Sequence, residues 1–435
     1  MKKSIILFLA ILTLVGCRDN NEPNLWAPLE PAIVNIQPDR GSEETIITIS
    51  GRRFSGSVSD NIVKINGVTA TVIEAADNLL KVVVPANTGS GPVSVTVNGH
   101  EGVGPVFTYT EKVREYMVST FAGSTAGLVN GIGINAKFQH PNSIAIDAFD
   151  NLIICDRTNH TIRKITSEGV VSTVAGNGAI GSADGTPGQF NYPWDVTIDA
   201  NGNMFIADKD NRKIRKITPA GVVSTIAGDG TTGNKEGIPG SFNNPMYVTT
   251  DIAGNIYVAD RNNNKIRKIA SNGEVSTFAG DGNVTNLNQP QGIVMDINGN
   301  LIVADQKNYF IKMISPAGIT TNIAGTGIKG YSDGELGKPL TAKIGDVFGI
   351  TIDKEGNILF ADASNARVRM IVPKEPGKYE DADVVTIAGT GVVGKVDGIG
   401  ASATFNNPYD LAVDSKGNIY VADASNHLIR KIVYK

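Results

Sequence analysis

Gly202-Asn203-Met204-Phe205-Ile206-Ala207-Asp208, continued through Asn211 to Ile214-Arg215-Lys216-Ile217, decides the fold, because the same phrase returns six times. Its Asp recurs as Asp156, Asp208, Asp260, Asp305, Asp362 and Asp423. An Asn follows three places on, as Asn159, Asn211, Asn263, Asn308, Asn365 and Asn426. The repeat is roughly fifty residues long, its apolar runs are broken by Gly-Asn turns, and no helical periodicity intervenes. A unit of this kind must bury its sheet against the next one, which predicts the blades of a β-propeller.

The outer edge of the blade is legible too. Val171 to Gly176, Val223 to Gly228, Val275 to Gly280, Thr321 to Gly325 and Val385 to Gly389 close successive blades, and Met117-Val118-Ser119-Thr120-Phe121-Ala122-Gly123 resembles them with no repeat in front of it. The final copy stops at Ile429-Arg430-Lys431-Ile432 without such a strand. The N-terminal strand must therefore complete the last blade, which gives six blades and leaves no free sheet edge.

A chain of 435 residues with 41% hydrophobic content can bury more than one core, and its 49 glycines suit turn-rich β structure. Its formal charge of −4, with no dense Lys/Arg block, argues against a nucleic-acid partner. Lys2 and Lys3 precede an apolar run from Ile5 to Val15, which reads as a secretory signal too short to span a bilayer. Cys155 stands where other repeats have Ala207, Ala259, Ala304, Ala361 and Ala422, so it is expected to be a small buried strand residue.

From Pro31 to Thr110, seven strand-like runs separated by turn residues suggest a small sandwich: Ala32 to Gln37, Thr45 to Ser50, Asn61 to Asn66, Thr69 to Glu74, Leu79 to Pro85, Gly91 to Val97 and Val106 to Tyr109. Four resemblances sharpen this outline. Leu14-Val15-Gly16-Cys17 resembles a bacterial lipobox, which implies cleavage before Cys17 and its lipidation. Ile36-Gln37-Pro38, Gly41, Ile47 to Gly51, Phe54, Val63 to Gly67, Val82 to Pro85 and Val93 to Val97 resemble an IPT/TIG domain, an immunoglobulin-like module that commonly acts as a spacer. The repeated Pro, Asp, Gly-Asn, Ala-Asp, Asn and Ile-Arg-Lys-Ile resemble NHL repeats over residues 117 to 435. The whole arrangement resembles the surface glycan-binding lipoproteins of Bacteroidetes polysaccharide-utilisation systems. The expected fold is all-β: signal peptide 1–16, lipidated Cys17 and linker 17–30, IPT/TIG sandwich 31–110 and six-bladed propeller 111–435.

The Gly-Asn turns and the turns around Gly169, Gly221, Gly273 and Gly318 should share one rim, leaving the Asp-x-x-Asn corners and the blade-to-blade loops on the other. Function on such scaffolds usually sits on loops held by rigid sheet. The Asp and Asn of each corner are read as structural, bonding turn backbone. The alternative there is calcium, with Asp184, Asp333 or Asp397 as ligand. Four G-x-G-x-x-G loops, such as Gly176-Gly178-Gly181, open no helix and so form no dinucleotide site. His140, His160 and His427 fall on one side of the ring and could hold zinc, as in the amidating lyase that NHL propellers resemble. We expect no metal and no cofactor.

The informative column lies near the start of each inner strand: Asn142, Trp194, Met246, Gln291, Phe348 and Tyr409, followed by Ser143, Asp195, Tyr247, Gly292, Gly349 and Asp410. Six different residues in an otherwise repetitive unit are not needed to build the blade. Packing in the channel is one explanation. The other is a ligand site in which Trp194, Tyr247, Phe348 and Tyr409 offer rings and Asn142, Asp195, Gln291 and Asp410 bond hydroxyls. The loop into blade four, Asp281 to Pro290, is the shortest and should leave the rim low there.

These readings converge on a non-catalytic, lipid-anchored glycan-binding protein of the outer membrane, facing the cell exterior, with polysaccharide or oligosaccharide as partner. Its rivals are a scaffold for a surface transport complex, with an outer-membrane transporter as partner, and a glycan lyase or hydrolase using Asp195 and Asp410 with His140.

Overall fold

The computed structural model describes residues 30–86, 88–110 and 115–435. The signal segment 1–16, Cys17 and all of the linker but Glu30 lie outside the described residues. The chain divides into two compact units between residues 113 and 114. No helix among the described residues is long and apolar enough to cross a membrane.

The first unit is a sandwich of eight strands: β1 Ala32–Gln37, β2 Arg40–Gly41, β3 Ile46–Arg52, β4 Asn61–Ile65, β5 Val68–Ala76, β6 Leu79–Val83, β7 Gly91–Val97 and β8 His100–Tyr109. The sequence reading missed the two-residue β2, which pairs parallel to β8, and began β8 too late. The long β5 pairs with β4 through Val68 to Ala70 and with β6 through Thr71 to Ala76, so one strand joins both sheets. Ile47, Ile49, Val63, Ile65, Leu80, Val82, Val93, Val95 and Phe107 alternate inward at 0% exposure to form its core.

The second unit is six antiparallel four-stranded meanders, to which a two-residue strand is added at the outer edge of the first and of the last. Blade 2 shows the pattern: inner strand Pro193–Ile198, then Met204–Asp208, Lys213–Ile217 and outer strand Val223–Ala227. Blade 6 takes three strands from the C-terminus, and its outer strand is Tyr116–Gly123, paired from Leu428↔Gly123 to Tyr434↔Tyr116. The ring thus closes as the sequence predicts. Cys155 is fully buried, and burial raises its thiol pKa.

The repeated Asp is the hub of each blade. One oxygen of Asp208 accepts the backbone N–H of Asn191 at 2.8 Å; the other accepts from Asn211 at 2.7 Å and from the Arg215 guanidinium at 2.7 Å. Asn211 also donates to the carbonyl of Gly181. The same ion pair recurs as Asp156–Arg163, Asp260–Arg267, Asp362–Arg369 and Asp423–Arg430, with both side chains 0% exposed. Lys312 substitutes for Arg in blade 4. A buried charge is tolerable only when paired and hydrogen-bonded, and the guanidinium of Arg215 also bonds the loop carbonyls of Gln189 and Ala183. These pairs therefore pin the long loops to the blades.

Asp184, Asp333 and Asp397 belong to the same device. They accept from Arg215, Arg369 and Arg430 respectively. In blade 1 Asn130 takes that place against Arg163 at 2.7 Å. The loops they anchor run along the outer strand of their own blade: Gly131–Ile132 pairs with Val170 and Val171, and Gly398–Ile399 with Met117 and Val118. Long loops thus cover sheet edges.

Candidate functional site

The column that varies between blades is a column of β-bulges. The ladder between Pro193 and Asp195 skips Trp194, and the same break isolates Asn142 and Tyr409. In blades 3, 4 and 5 two residues leave the ladder: Met246 with Tyr247, Gln291 with Gly292, and Phe348 with Gly349. A bulge turns its side chain out of the strand's alternation. Here it gathers side chains from opposite blades, since Trp194 and Tyr409 stack at 6.1 Å between ring centroids, Trp194 and Phe348 lie at 6.5 Å, and Phe348 and Tyr409 at 4.5 Å. Asn142 donates to the Trp194 carbonyl at 3.0 Å, and Gln291 to Gln306 at 3.3 Å. The six residues therefore close one end of the channel as a layer.

The expected roles in this layer need correction. Asn142 and Gln291 are 0% exposed, Tyr247 2% and Trp194 7%, whereas Phe348 and Tyr409 are half-buried. Asp195 and Asp410 lie among the walls of a channel cavity of about 250 Å³ together with Tyr247, Val196, Leu411 and Thr351, and none of the six column residues lines it. The physical reason is the bulge, which sends position 194 into the closing layer and position 195 into the channel.

Asp195 and Asp410 have bonding duties of their own. Asp410 accepts the backbone N–H of Ile144 at 2.9 Å, Ser143 that of Val196 at 3.1 Å, and Asp195 that of Val248 at 2.8 Å. Each bond joins one blade to the next. Burial pushes the Asp195 carboxyl up to about 7, and burial together with repulsion from Asp195 pushes Asp410 well above the usual carboxylate range.

The three histidines are likewise divided. His427 Nδ1 accepts the N–H of His140, and His160 Nδ1 accepts that of Tyr192, while Asn264 Oδ1 does the same for Gln289. Burial lowers the pKa of His140, His160 and His427, which keeps the imidazoles neutral and able to accept. His140 packs edge-on to His427 while His160 packs on Tyr192, and among the described residues no three His, Cys, Asp or Glu side chains are grouped to hold a metal.

Sequence reading overlooked the residue directly after each hub Asp: Arg157, Lys209, Arg261, Gln306, Ala363 and Ala424. The Arg157 guanidinium lies 5.1 Å from the Trp194 ring centroid and 5.7 Å from that of Tyr409; Lys209 Nζ lies 5.5 Å from Trp194. Cations held over these rings gain from the ring quadrupole, so the aromatic layer is roofed by positive charge. The signal was available, since three basic residues share one repeat position. A cavity of about 560 Å³ also lies between blades 5 and 6, lined by turn residues Asp353 to Glu355 and Asp414 to Asn418 with Tyr116 and Tyr434. Its Asn357 and Asn418 are already bonded to Asp353 and Asp414.

Comparison with known proteins defines the class. Residues 31–110 match the IPT/TIG domain family model, and residues 405–432 match the NHL repeat family model. The chain is thus an IPT/TIG sandwich followed by a six-bladed propeller with NHL-type repeats. A solved auxiliary nutrient binding protein of Bacteroides ovatus superposes with a TM-score of 0.58 at 22% identity, over 94% of this chain and 98% of that one. One of the same description from Bacteroides thetaiotaomicron gives 0.58 at 18%, over 93% and 98%. Human NHL repeat-containing protein 2 is 28% identical over 67% of this chain and 46% of its own length. The chain spans less than half the length of the curated relatives it matches.

Proposed function

We propose that this protein captures polysaccharide without turning it over, using the loop-rich rim of the propeller around Trp194, Phe348 and Tyr409. The observation that carries the reading is the bulged layer. Six blades that otherwise repeat each bulge a different side chain into one mouth, and the rings gathered there suit the apolar faces of sugars. The likeness to Bacteroides proteins described as auxiliary nutrient binding, across both units, supports the same reading by analogy. Asp195 and Asp410 act in it as blade-to-blade acceptors, and Asn142 as a support for Trp194, whose carbonyl it bonds.

On this reading the chain is held at the outer membrane, facing outward, by a lipid on Cys17, and the IPT/TIG unit is a spacer. Loss of palmitate label in Cys17→Ser tests the anchor. A polysaccharide panel in native gels tests the capture. Retardation should survive deletion of the IPT/TIG unit and fall on the order of tenfold in Trp194→Ala, about 1.4 kcal/mol. Retardation by no member of the panel, or full binding by Trp194→Ala, would overturn it.

A second reading has its own observation. Ile180, Ile328, Val392 and Val393 are 63–66% exposed on loops of the same rim, a contour suited to a protein of a surface transport complex. Substituting these four by Ser should leave glycan binding intact and abolish co-purification of such a partner.

A further inference from the structure

The charges around the mouth narrow the class of glycan. Arg157, Lys209 and Arg261 occupy the same repeat position in three consecutive blades, so their charge is concentrated on one half of the rim. Lys209 is neutralised by Asp210 at 2.7 Å. Among the described residues Arg157 meets no carboxylate and donates no hydrogen bond, although it sits half-buried over Trp194 and Tyr409. Arg261 hydrogen-bonds only neutral oxygens, those of Asn262 at 3.1 Å and of Gln289, while the Asp346 carboxylate, itself held by Lys307 and Lys329, attracts it from a distance. Beneath them polar capacity is left over: Asn142 Oδ1 and Gln291 Oε1 are both buried without a partner. Buried polar atoms of native proteins are almost always satisfied, and two unmet ones in the layer under Arg157 are free to bond a molecule or water entering the mouth.

Placement matters as much as number. A sugar approaching the mouth meets the Arg157 guanidinium that lies over the Trp194 indole, and that fork matches a carboxylate or sulfate in shape and charge. The chain as a whole carries −4, so this positive mouth is a local feature and not part of a generally basic surface.

We propose that the mouth recognises acidic polysaccharide, in which a uronate carboxylate or sulfate ester is bound by Arg157, with Arg261 on the same half of the rim, while the sugar ring packs beside Trp194 and Tyr409. The proposal rests on the glycan-capture reading of the same mouth and adds the anionic substituent to it. Binding of this kind is screened by salt, unlike stacking alone.

The full-length chain run in native gels provides the test. The gels contain polygalacturonate, its fully methyl-esterified form, chondroitin sulfate, desulfated and carboxyl-reduced chondroitin, a neutral β-glucan, or polyglutamate. Expected is retardation by polygalacturonate or chondroitin sulfate, at least about tenfold weaker with the neutralised counterpart and weaker again in 0.5 M salt. Because chondroitin sulfate carries both anions, desulfated chondroitin that keeps its carboxylate is run beside it and distinguishes carboxylate from sulfate. Arg157→Ala should lose about tenfold on the acidic polymer, Arg157→Lys should lose less, and melting temperatures of both should stay near wild type. Equal binding of acidic and neutralised forms, with Arg157→Ala unchanged, overturns the acidic class while glycan capture stands. Retardation by polyglutamate alone overturns it in favour of an acidic protein partner. Retardation by nothing overturns glycan capture itself, and this proposal with it.

Discussion

Blades 6, 1 and 2 begin their inner strands differently from blades 3, 4 and 5. In the first group one residue bulges, and the next, Asp410, Ser143 or Asp195, returns to the ladder and accepts an N–H of the following blade. In the second group two residues leave the ladder, and the second of them is Tyr247, Gly292 or Gly349. A Cβ on Gly349 would overlap the Asp410 carboxylate and stand 2.6 Å from the Asp410 Cα; one on Gly292 would overlap the Phe348 carbonyl and stand 2.9 Å from the Ile350 nitrogen. Half of the ring is therefore joined by side-chain acceptors, and much of the other half by close approach of backbone. A repeat position can therefore vary because ring assembly requires it, as well as because a ligand does.

The comparison can be broken at its seam. Excising residues 116–123 removes the outer strand of blade 6 and exposes the edge of Leu428–Tyr434 in the same blade that Asp410 ties to blade 1. We expect the single calorimetric transition of the propeller to be lost. A melting temperature equal to wild type would show that the locks hold the ring without the strand.

Asp410 and Gly349 sharpen it at one contact. Asp410→Ala strands the buried N–H of Ile144 and should cost about 1–3 kcal/mol in urea unfolding. Gly349→Ala overfills the same space and should cost about 1–3 kcal/mol by itself. The double variant should cost less than the sum, because the alanine at 349 enters room that the carboxylate has left. Strict additivity would mean that the two halves do not meet there.

The smallest expected effect is in pH. A carboxyl whose folded pKa is raised binds a proton more tightly in the folded chain, so its contribution to stability is full below the unfolded value and is lost as pH rises through the folded one. With Asp195 raised from 3.8 to about 7, stability should grow on the order of 1–2 kcal/mol between pH 7.5 and 5.5. Asp195→Asn keeps an oxygen for Val248 and should remove that increment. Asp156, Asp208 and Asp423, which burial pushes up to about 6, titrate in both proteins and cancel in the difference, whereas Asp410, raised in part by the Asp195 charge, relaxes with the substitution, so the difference reports the pair. Equal pH slopes for the two proteins would place Asp195 outside this role.

Much of this architecture could be read directly. The Asp, the Asn three places on and the Gly-Asn turn recur because each blade needs the same hub and the same hairpin. Even the buried Arg was visible in principle, since Arg163, Arg215, Arg267, Arg369 and Arg430 keep one fixed spacing from their Asp. That spacing carries no meaning until antiparallel pairing places the two side chains on one face of adjacent strands, as Ile206↔Arg215 does in blade 2. Asp184, Asp333 and Asp397 look like cation ligands in the sequence because the guanidinium that each one meets lies more than thirty residues away.

What the chain determines by itself is whatever local chemistry repeats: the number of blades, their order, the strand that closes them and the sandwich in front. What only the tertiary structure decides is direction. Along a regular strand residues 194 and 195 would simply face opposite sides of the sheet, and one added residue in the ladder reverses that parity for everything before it. Trp194 is thereby carried into a layer built with Phe348 and Tyr409, Asp195 is turned down the channel, and Arg157 from another blade comes to lie over the indole. No residue type announces a bulge, because it is the register of two paired strands, and that register exists only once the blade is assembled.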